Sequence, residues 1–519
     1  MNLYKNFFSV GSMTLLSRIM GFVRDILIAG LLGTSMAADA FFAAFRFPNL
    51  FRRLFAEGAF NAAFIPLFSG VLEREGEEAA GRFASRIISW LILFLFAVLI
   101  LTEIFMPQIM AWFVPGFVGD EEKFNFTVLL ARICFPYLAL MSVMSAYGAM
   151  LNGLGKFLAA AFAPVMLNIV LVIILGFLVF FIADKPAGAV FLALGVIIGG
   201  FAQVAVVVWA LYKTGLFPYL RWPVFGRDIA RFFALALPVM FSGGITQINI
   251  FVGTIIASGA ASTISYLYYA DRLYQLPLGI IGIAIGVVLL PELSRHVKGN
   301  RPQQAALAQE KSLFLAMMLC LPAAAALFIM AKPIVQVLFE RGAFDATATL
   351  ATASALSAFS LGLPAFVLIK IFQPGFFARE DTMTPTILAA ISVVINIVIS
   401  VVLFPALAQT AIAIATSIAA WFNALFLMGI LAWRGHFSLR NKELRHHILF
   451  VFASMIMLVI LWVLGNFAGA TLDGSGSSLL QFGALGLVLT IGMIAYFAIL
   501  HLFGVVRLNE LSQQFRALK

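Results

Sequence analysis

Residues 11–66 read GSMTLLSRIMGFVRDILIAGLLGTSMAADAFFAAFRFPNLFRRLFAEGAFNAAFIP, two apolar spans joined by a short turn around positions 33–36. Yet they carry Arg18, Arg24, Asp25, Asp39, Arg46, Arg52, Arg53 and Glu57. An ionisable side chain at mid-bilayer costs roughly 2.5–3.5 kcal/mol on insertion scales. These arginines therefore cannot face hydrocarbon; they must line an internal cavity, pair with the acids, or await an anionic ligand. Arg18 and Asp25 are two helical turns apart and share a stripe, and Asp39, Arg46 and Arg53 repeat that interval. Pro48 removes a backbone hydrogen bond and bends the second stripe. Buried ion pairs that merely fix helix packing are the alternative, but five cations against three acids leave charge over.

A chain that is 63% hydrophobic and 11% charged, with a mean hydropathy of +1.06, is an all-α polytopic membrane protein. Its net charge of +10 follows from the positive-inside bias and not from a nucleic-acid site, since there is no soluble basic domain. Cys134 and Cys320 fall inside apolar runs with no ligand spacing and read as small core residues. The interior arginines of the first span, and the lack of a small-residue cleavage site, argue against a removed signal peptide.

Apolar runs predict about fourteen membrane helices near 8–33, 36–69, 84–112, 125–152, 158–183, 187–212, 229–257, 262–293, 312–339, 347–377, 384–407, 409–433, 446–469 and 479–504. Most lysines and arginines fall in loops on one side, with only Lys123, Lys185, Lys332 and Arg341 opposite, so both termini are expected in the cytoplasm. The intramembrane cations are then Arg18, Arg24, Arg46, Arg52, Arg53, Arg132, Arg272 and Lys370, against the acids Asp25, Asp39, Glu57 and Asp271. Such an excess favours an anionic guest, and the planar fork of arginine suits phosphate. Pro48 and Pro277, Pro136 and Pro364, and Asn168 and Asn396 recur at an offset near 228, and PLFS at 66–69 answers PELS at 291–294. The offset predicts two six-helix lobes, 1–215 and 216–434, with a site between them as in parallel transporter repeats. Residues 435–519 add two spans outside the repeat and an amphipathic C-terminal helix. The stretch 216–233 is basic and aromatic and reads as an interfacial connection.

The run SRIMGFVRD…ADAFFAAFRFPNLFRRLFAEGAFNAAFIP, YYADRL at 268–273 and QPGFFAREDTMTP at 373–385 closely resemble the MurJ (MviN) family of lipid II flippases, and the similarity runs essentially end to end. The resemblance implies the fold of the MOP transporter superfamily, with spans 13 and 14 forming a groove for the lipid tail. It also implies transfer of an undecaprenyl-diphosphate-linked peptidoglycan precursor from the cytoplasmic to the periplasmic leaflet of the inner membrane. The substrate-binding arginines of that family match Arg18, Arg24, Arg52 and Arg272. Asp25, Asp39, Arg53 and Glu57 match other charged positions of the motif, while Arg46 and Asp271 are supporting charges on the residue reading alone. Some relatives hold sodium with acidic ligands in the second lobe; span 7 here has no acid, so no metal is expected. No cofactor, no catalytic residue and no nucleic-acid partner is called for; cell-wall synthesis proteins are candidate partners. No nucleotide-binding domain is present, so membrane potential or an ion gradient is the expected energy source.

Three other readings remain to be separated. A flippase for another polyprenyl-diphosphate oligosaccharide shares the diphosphate. A MATE-type multidrug exporter would place carboxylates where this chain places arginines. A membrane glycosyltransferase would need a positioned acid or base and a metal site, for which the DEE run at 120–122 is a poor candidate.

Overall fold

The computed structural model describes residues 3–53, 60–181, 184–438, 440–472 and 477–505. Among these residues the chain is all-helical, and ten helices are long and apolar enough to cross a membrane. The α-helices of the described residues, in order, begin with α1 (Leu3–Leu32), α2 (Met36–Arg52), α3 (Asn61–Ile104), α4 (Met106–Phe113), α5 (Glu121–Cys134), α6 (Tyr137–Gly153), α7 (Leu158–Phe181), α8 (Lys185–Tyr212) and α9 (Arg227–Ala257). There follow α10 (Thr263–Lys298), α11 (Pro302–Ile329), α12 (Ala331–Phe339), α13 (Ala346–Phe377), α14 (Met383–Leu407), α15 (Gln409–Trp433), α16 (Asn441–Phe467), α17 (Gly469–Leu472) and α18 (Ser478–Leu502).

Helix ends follow local chemistry where the sequence leads one to look. Ser35, Asp120, Asp184 and Asp345 cap α2, α5, α8 and α13 by accepting a backbone N–H with their side chains. The DEE run thus serves as N-cap and acidic first turn of α5, which suits the helix dipole. Two expected single spans are interrupted: 125–152 breaks before Pro136, which has no N–H to give, and 312–339 breaks at Met330. Between the expected spans at 36–69 and 84–112, helical backbone continues through α3 except at Gly76, whose φ of 84° makes the turn inside the EREGEE run. After α16 ends at Phe467, the chain is helical again over α17. Glu57 and residues 506–519, which include the expected amphipathic helix, lie outside the described residues.

Two compact units form. The N-terminal unit holds residues 1–265 and the short loop 341–344. In it α1 packs on α7, α7 on α8, α2 on α5, α6 on α3 and α8, and α9 on α3. Aromatic side chains fill its middle, with Phe47 set against Phe51, Phe113 and Phe135 at centroid distances of 5.2, 5.4 and 5.3 Å. The connection at 216–226 is non-helical, as its two prolines require, and is pinned to α3. The Arg221 N–H donates to Ser89 Oγ at 3.0 Å and Trp90 Nε1 to the Val224 carbonyl at 3.2 Å. Trp222 is 89% exposed there, fitting a membrane-interface segment.

The C-terminal unit is built around α13, which packs on α15, α11 and α12. Helix α16 leans on α11 and α18 leans on α16. Arg440 pairs with Glu310 at 2.8 Å, and Tyr496 donates to the Met318 carbonyl at 2.9 Å, so both helices are tied to α11 by polar bonds as well as packing. Along α16 runs a shallow apolar groove of about 470 Å³ lined by His447, Ile448, Val451, Phe452 and Met455.

Within the QPGFFAREDTMTP segment, Asp381 closes the turn between α13 and α14. It accepts from Thr384 N and Oγ1 at 2.9 and 2.7 Å and from Arg434 Nη1 at 2.6 Å. Burial alone would raise its pKa, but the Arg434 and Thr384 bonds outweigh that and hold it at about 2, below the usual 3.8. A depressed folded-state pKa adds stability that is complete above the unfolded value and lost as pH falls through the folded one. Asp381→Asn should therefore destabilise the protein at pH 7, and the gap to wild type should narrow between pH 4 and 2 in a thermal-unfolding series.

Gly33 ends α1 with φ +57°, and a Cβ there would lie 2.1 Å from the Ala343 carbonyl oxygen. Ala343 N also donates to the Gly30 carbonyl at 2.8 Å, so the two backbones are in direct contact. Gly33→Ala should cost about 2–4 kcal/mol, from left-handed strain and overpacking together. Gly119→Ala, with nothing within 4 Å of its Cβ, should stay within about 0.5 kcal/mol by the same thermal assay.

Candidate functional site

Arg24 of α1 is only 7% exposed and Asp25 2%. Its Nε and Nη2 donate to Asp25 Oδ1 at 3.0 and 2.7 Å, and its Nη1 to Asn168 Oδ1 at 2.9 Å. Asn168 of α7 in turn donates to the Ser17 carbonyl and Oγ at 3.0 and 3.3 Å, which ties α7 to α1 two turns before Arg24. The guanidinium is thus oriented by one carboxylate and one amide in a buried setting, where water competes little for these bonds. Arg18 on the same helix is half-buried, while Leu15, Ile19 and Val23 are exposed.

Spacing placed Asp25 on a stripe with Arg18; the structure gives it to its sequence neighbour Arg24. A long, flexible arginine can curl back to the adjacent residue, which helical-wheel geometry does not capture. On α2, Arg46 Nη1 donates to Thr254 Oγ1 at 3.1 Å and Arg52 Nε to Asn49 Oδ1 at 3.0 Å. Arg52 is half-buried and Arg53 exposed.

Asp39, seven residues before Arg46, sits in the first turn of α2 and is 1% exposed. Its Oδ2 accepts from Lys123 Nζ at 2.9 Å and from Ser262 N at 2.8 Å. Its Oδ1 accepts from Ser265 N and Oγ at 3.0 and 2.6 Å. One carboxylate thereby caps the start of α10 and neutralises α5. Ser262 Oγ adds a bond to the Thr34 carbonyl at 2.6 Å, and Lys123 Nζ lies 3.8 Å from the Phe117 ring centroid.

Lys123 was read as a loop cation; it is 8% exposed and part of this node. The signal was present, because Lys123, Thr127, Leu130 and Cys134 share the buried face of α5 at helical spacing. Its partner, 84 residues away, could not be read from the chain.

In the C-terminal unit, Arg272 of α10 is half-buried, donates from Nη2 to the Tyr268 hydroxyl at 3.2 Å, and has its guanidinium 4.6 Å from that ring's centroid. Asp271 accepts from Gln275 Nε2. Lys370 of α13 is exposed, as is Arg132 of α5 in the other unit. Among the described residues no three His, Cys, Asp or Glu side chains gather as a metal site.

Comparison with known proteins places this geometry. The profile of the family described as "Lipid II flippase MurJ" matches residues 28–485. A protein of Rhizobium tropici described as "Probable lipid II flippase MurJ" is 45% identical over 99% of this chain and 97% of its own length. The "Lipid II flippase MurJ" of Burkholderia cenocepacia is 32% identical over 90% of this chain and 91% of its own. Among solved structures, "Lipid II flippase MurJ, inward closed conformation" superposes with a TM-score of 0.78 at 25% identity, covering 95% of this chain and 98% of that one. An inward-facing MATE transporter of the MOP superfamily shares the fold alone, with a TM-score of 0.68 at 16% identity over 83% of this chain and 98% of that one.

Ten helices long and apolar enough to cross a membrane, with cations buried among the helices, define a multi-pass membrane protein. Within that class, the extent of the sequence match leaves one assignment. The chain belongs to the MurJ family of lipid II flippases.

The Asp39 node generates a stability test. Lys123→Ala leaves a buried carboxylate without its cation and should cost about 3–5 kcal/mol. Asp39→Asn with Lys123→Met removes both charges and should cost less than Lys123→Ala alone. A double-mutant cycle of thermal unfolding in detergent checks this, and additive losses would refute the coupling.

Proposed function

We propose that this chain flips lipid II across the bacterial inner membrane, using intramembrane cations to replace the water its diphosphate loses. The observation that carries this is the end-to-end family match combined with arginines held at membrane depth by specific hydrogen bonds. MurJ-family proteins are transporters and not enzymes, and nothing in the reaction breaks a covalent bond. Lipid II joins a polyprenyl tail to a diphosphate, sugars and a peptide bearing carboxylates. Drawing that headgroup through hydrocarbon would strip hydration from every polar group, at several kcal/mol each. A cationic, hydrated path supplies substitute partners while the tail stays in lipid. Exposing that path to one side and then the other completes the transfer.

In this reading Arg18, Arg24, Arg52 and Arg272 bind substrate, and Asp25, Asp39, Arg46, Arg53, Glu57 and Asp271 support them. The Arg24 fork fits the role because Asp25 and Asn168 already hold it in one orientation, and a diphosphate can take the place of the Asp25 oxygen. Two six-helix lobes at 1–215 and 216–434, cytoplasmic termini, and a tail groove on spans 13 and 14 belong to the same proposal. It is supported by the internal repeat, the loop-charge bias and the apolar groove along α16. Depleting the protein in cells should leave lipid II confined to the cytoplasmic leaflet; unchanged sidedness refutes the reading.

Substitution separates charge from geometry at Arg24 and Arg272. Arg→Lys at Arg24 or Arg272 keeps the charge and loses the bidentate fork, so partial transport should survive. Arg→Ala should reduce transport at least about tenfold, the equivalent of one lost charge-assisted hydrogen bond. Complementation is read beside membrane level and thermal stability; well-folded Ala variants that complement fully would mark these arginines as structural.

A further inference from the structure

Lys370 is an intramembrane cation that the proposed anchor set does not use. It is exposed although the residues around it on α13, Val367, Leu368, Ile371 and Phe372, are buried. Phe359, Phe366 and Lys370 stand at i, i+7 and i+11, one stripe of the helix. Both phenylalanines meet Tyr274 of α10, at centroid distances of 5.0 and 5.8 Å. Farther along, the Lys370 side chain passes over Gly282, where an added Cβ would lie 4.0 Å from its Cγ. This stripe therefore faces α10, and the two helices run in the same direction. Phe377, the last residue of α13, is about 10 Å further on, so a simple reach to the helix end does not explain a stem laid against α10.

Gly282 lies ten residues after Arg272 on α10. At 1.5 Å and 100° per residue that is about 15 Å along the axis and about 80° round it, one broad face of the helix. A separation of that order along α10 is longer than one diphosphate spans. The two cations fit the two ends of a longer anion. A peptide of about five residues reaches about 17 Å when extended, enough to carry a carboxylate from an Arg272-bound diphosphate to Lys370. The residue types agree with this division: a bidentate fork for phosphate, a flexible point charge for a carboxylate.

We propose that Lys370 is a specificity-determining anchor that binds a carboxylate of the substrate's peptide. This rests on the reading that Arg272 binds the diphosphate. The test uses the full-length protein in nanodiscs and two probes: lipid II, and lipid II with its peptide carboxylates amidated. Lys370→Gln should weaken binding of the first about tenfold, the scale of one charge-assisted bond, and leave the second within about twofold. Lys370→Arg should bind both like wild type, which shows that the charge matters and that the fold tolerates change here. Equal losses for both probes, or no loss for either, overturns the proposal. Arg272→Ala should weaken both probes alike. If it weakens neither while Lys370→Gln still discriminates, the diphosphate assignment fails and the Lys370 assignment stands.

Discussion

Charge inside a membrane protein is tolerated only where each ion is given partners, and in the N-terminal unit that requirement converges on the Asp39 carboxylate. Its two oxygens accept from Lys123, Ser262 and Ser265, which draws the start of α2, the first turn of α5 and the start of α10 to one point. Close backbone approaches surround it. Gly116 permits contact with the Ser258 carbonyl, and Gly33 permits contact with Ala343. Side chains of any size at these glycines would push the backbones apart and lengthen the Asp39 bonds. Electrostatics and steric economy thus fix the same end of the unit.

Arg24 obeys the same rule with a different outcome. Asp39 is saturated by partners that also hold helices together, so it is suited to structure. Arg24 is held by one neighbouring carboxylate and one amide, both on helices that already pack tightly. Exchanging the Asp25 oxygen for a phosphate oxygen would preserve the hydrogen-bond count of the guanidinium, which is what a reversible anion site needs. Arg272 is more loosely supported, by a tyrosine hydroxyl and ring. Aromatic contacts dominate between α10 and its neighbours α12 and α13, with Tyr269 against Phe339 and Tyr274 against Phe359 and Phe366. Such contacts are large in area and undemanding in direction, which suits a long helix.

The repeat signal in the sequence acquires a physical meaning at Asn168 and Asn396. Both are buried amides on helices that begin with a run of small or apolar residues. Asn168 orients an arginine, whereas Asn396 accepts from Ser400 and donates to Thr416. Two buried asparagines that recur at the sequence offset thus serve an ionic bond in one unit and neutral bonds in the other.

Much of this was legible in the chain. Hydropathy marked the membrane helices because twenty apolar residues have few other fates, and the motif of residues 11–66 named the family because so many charges in apolar spans are rarely arranged alike. Sequence alone also selected Arg24, Arg272 and Asp39 as residues needing partners. It could not choose those partners. Lys123 lies 84 residues from Asp39 and Asn168 lies 144 from Arg24, and no periodicity links positions on different helices. Helical-wheel spacing put Asp25 on one stripe with Arg18 but could not show that Arg24 reaches its carboxylate, because spacing describes where a Cβ points and not where a six-atom side chain ends. The chain by itself thus determined which residues could not face lipid, since burial cost belongs to residue type and depth. Only the tertiary structure decided which charges are spent on holding helices together, since that depends on what other helices bring within about 3 Å.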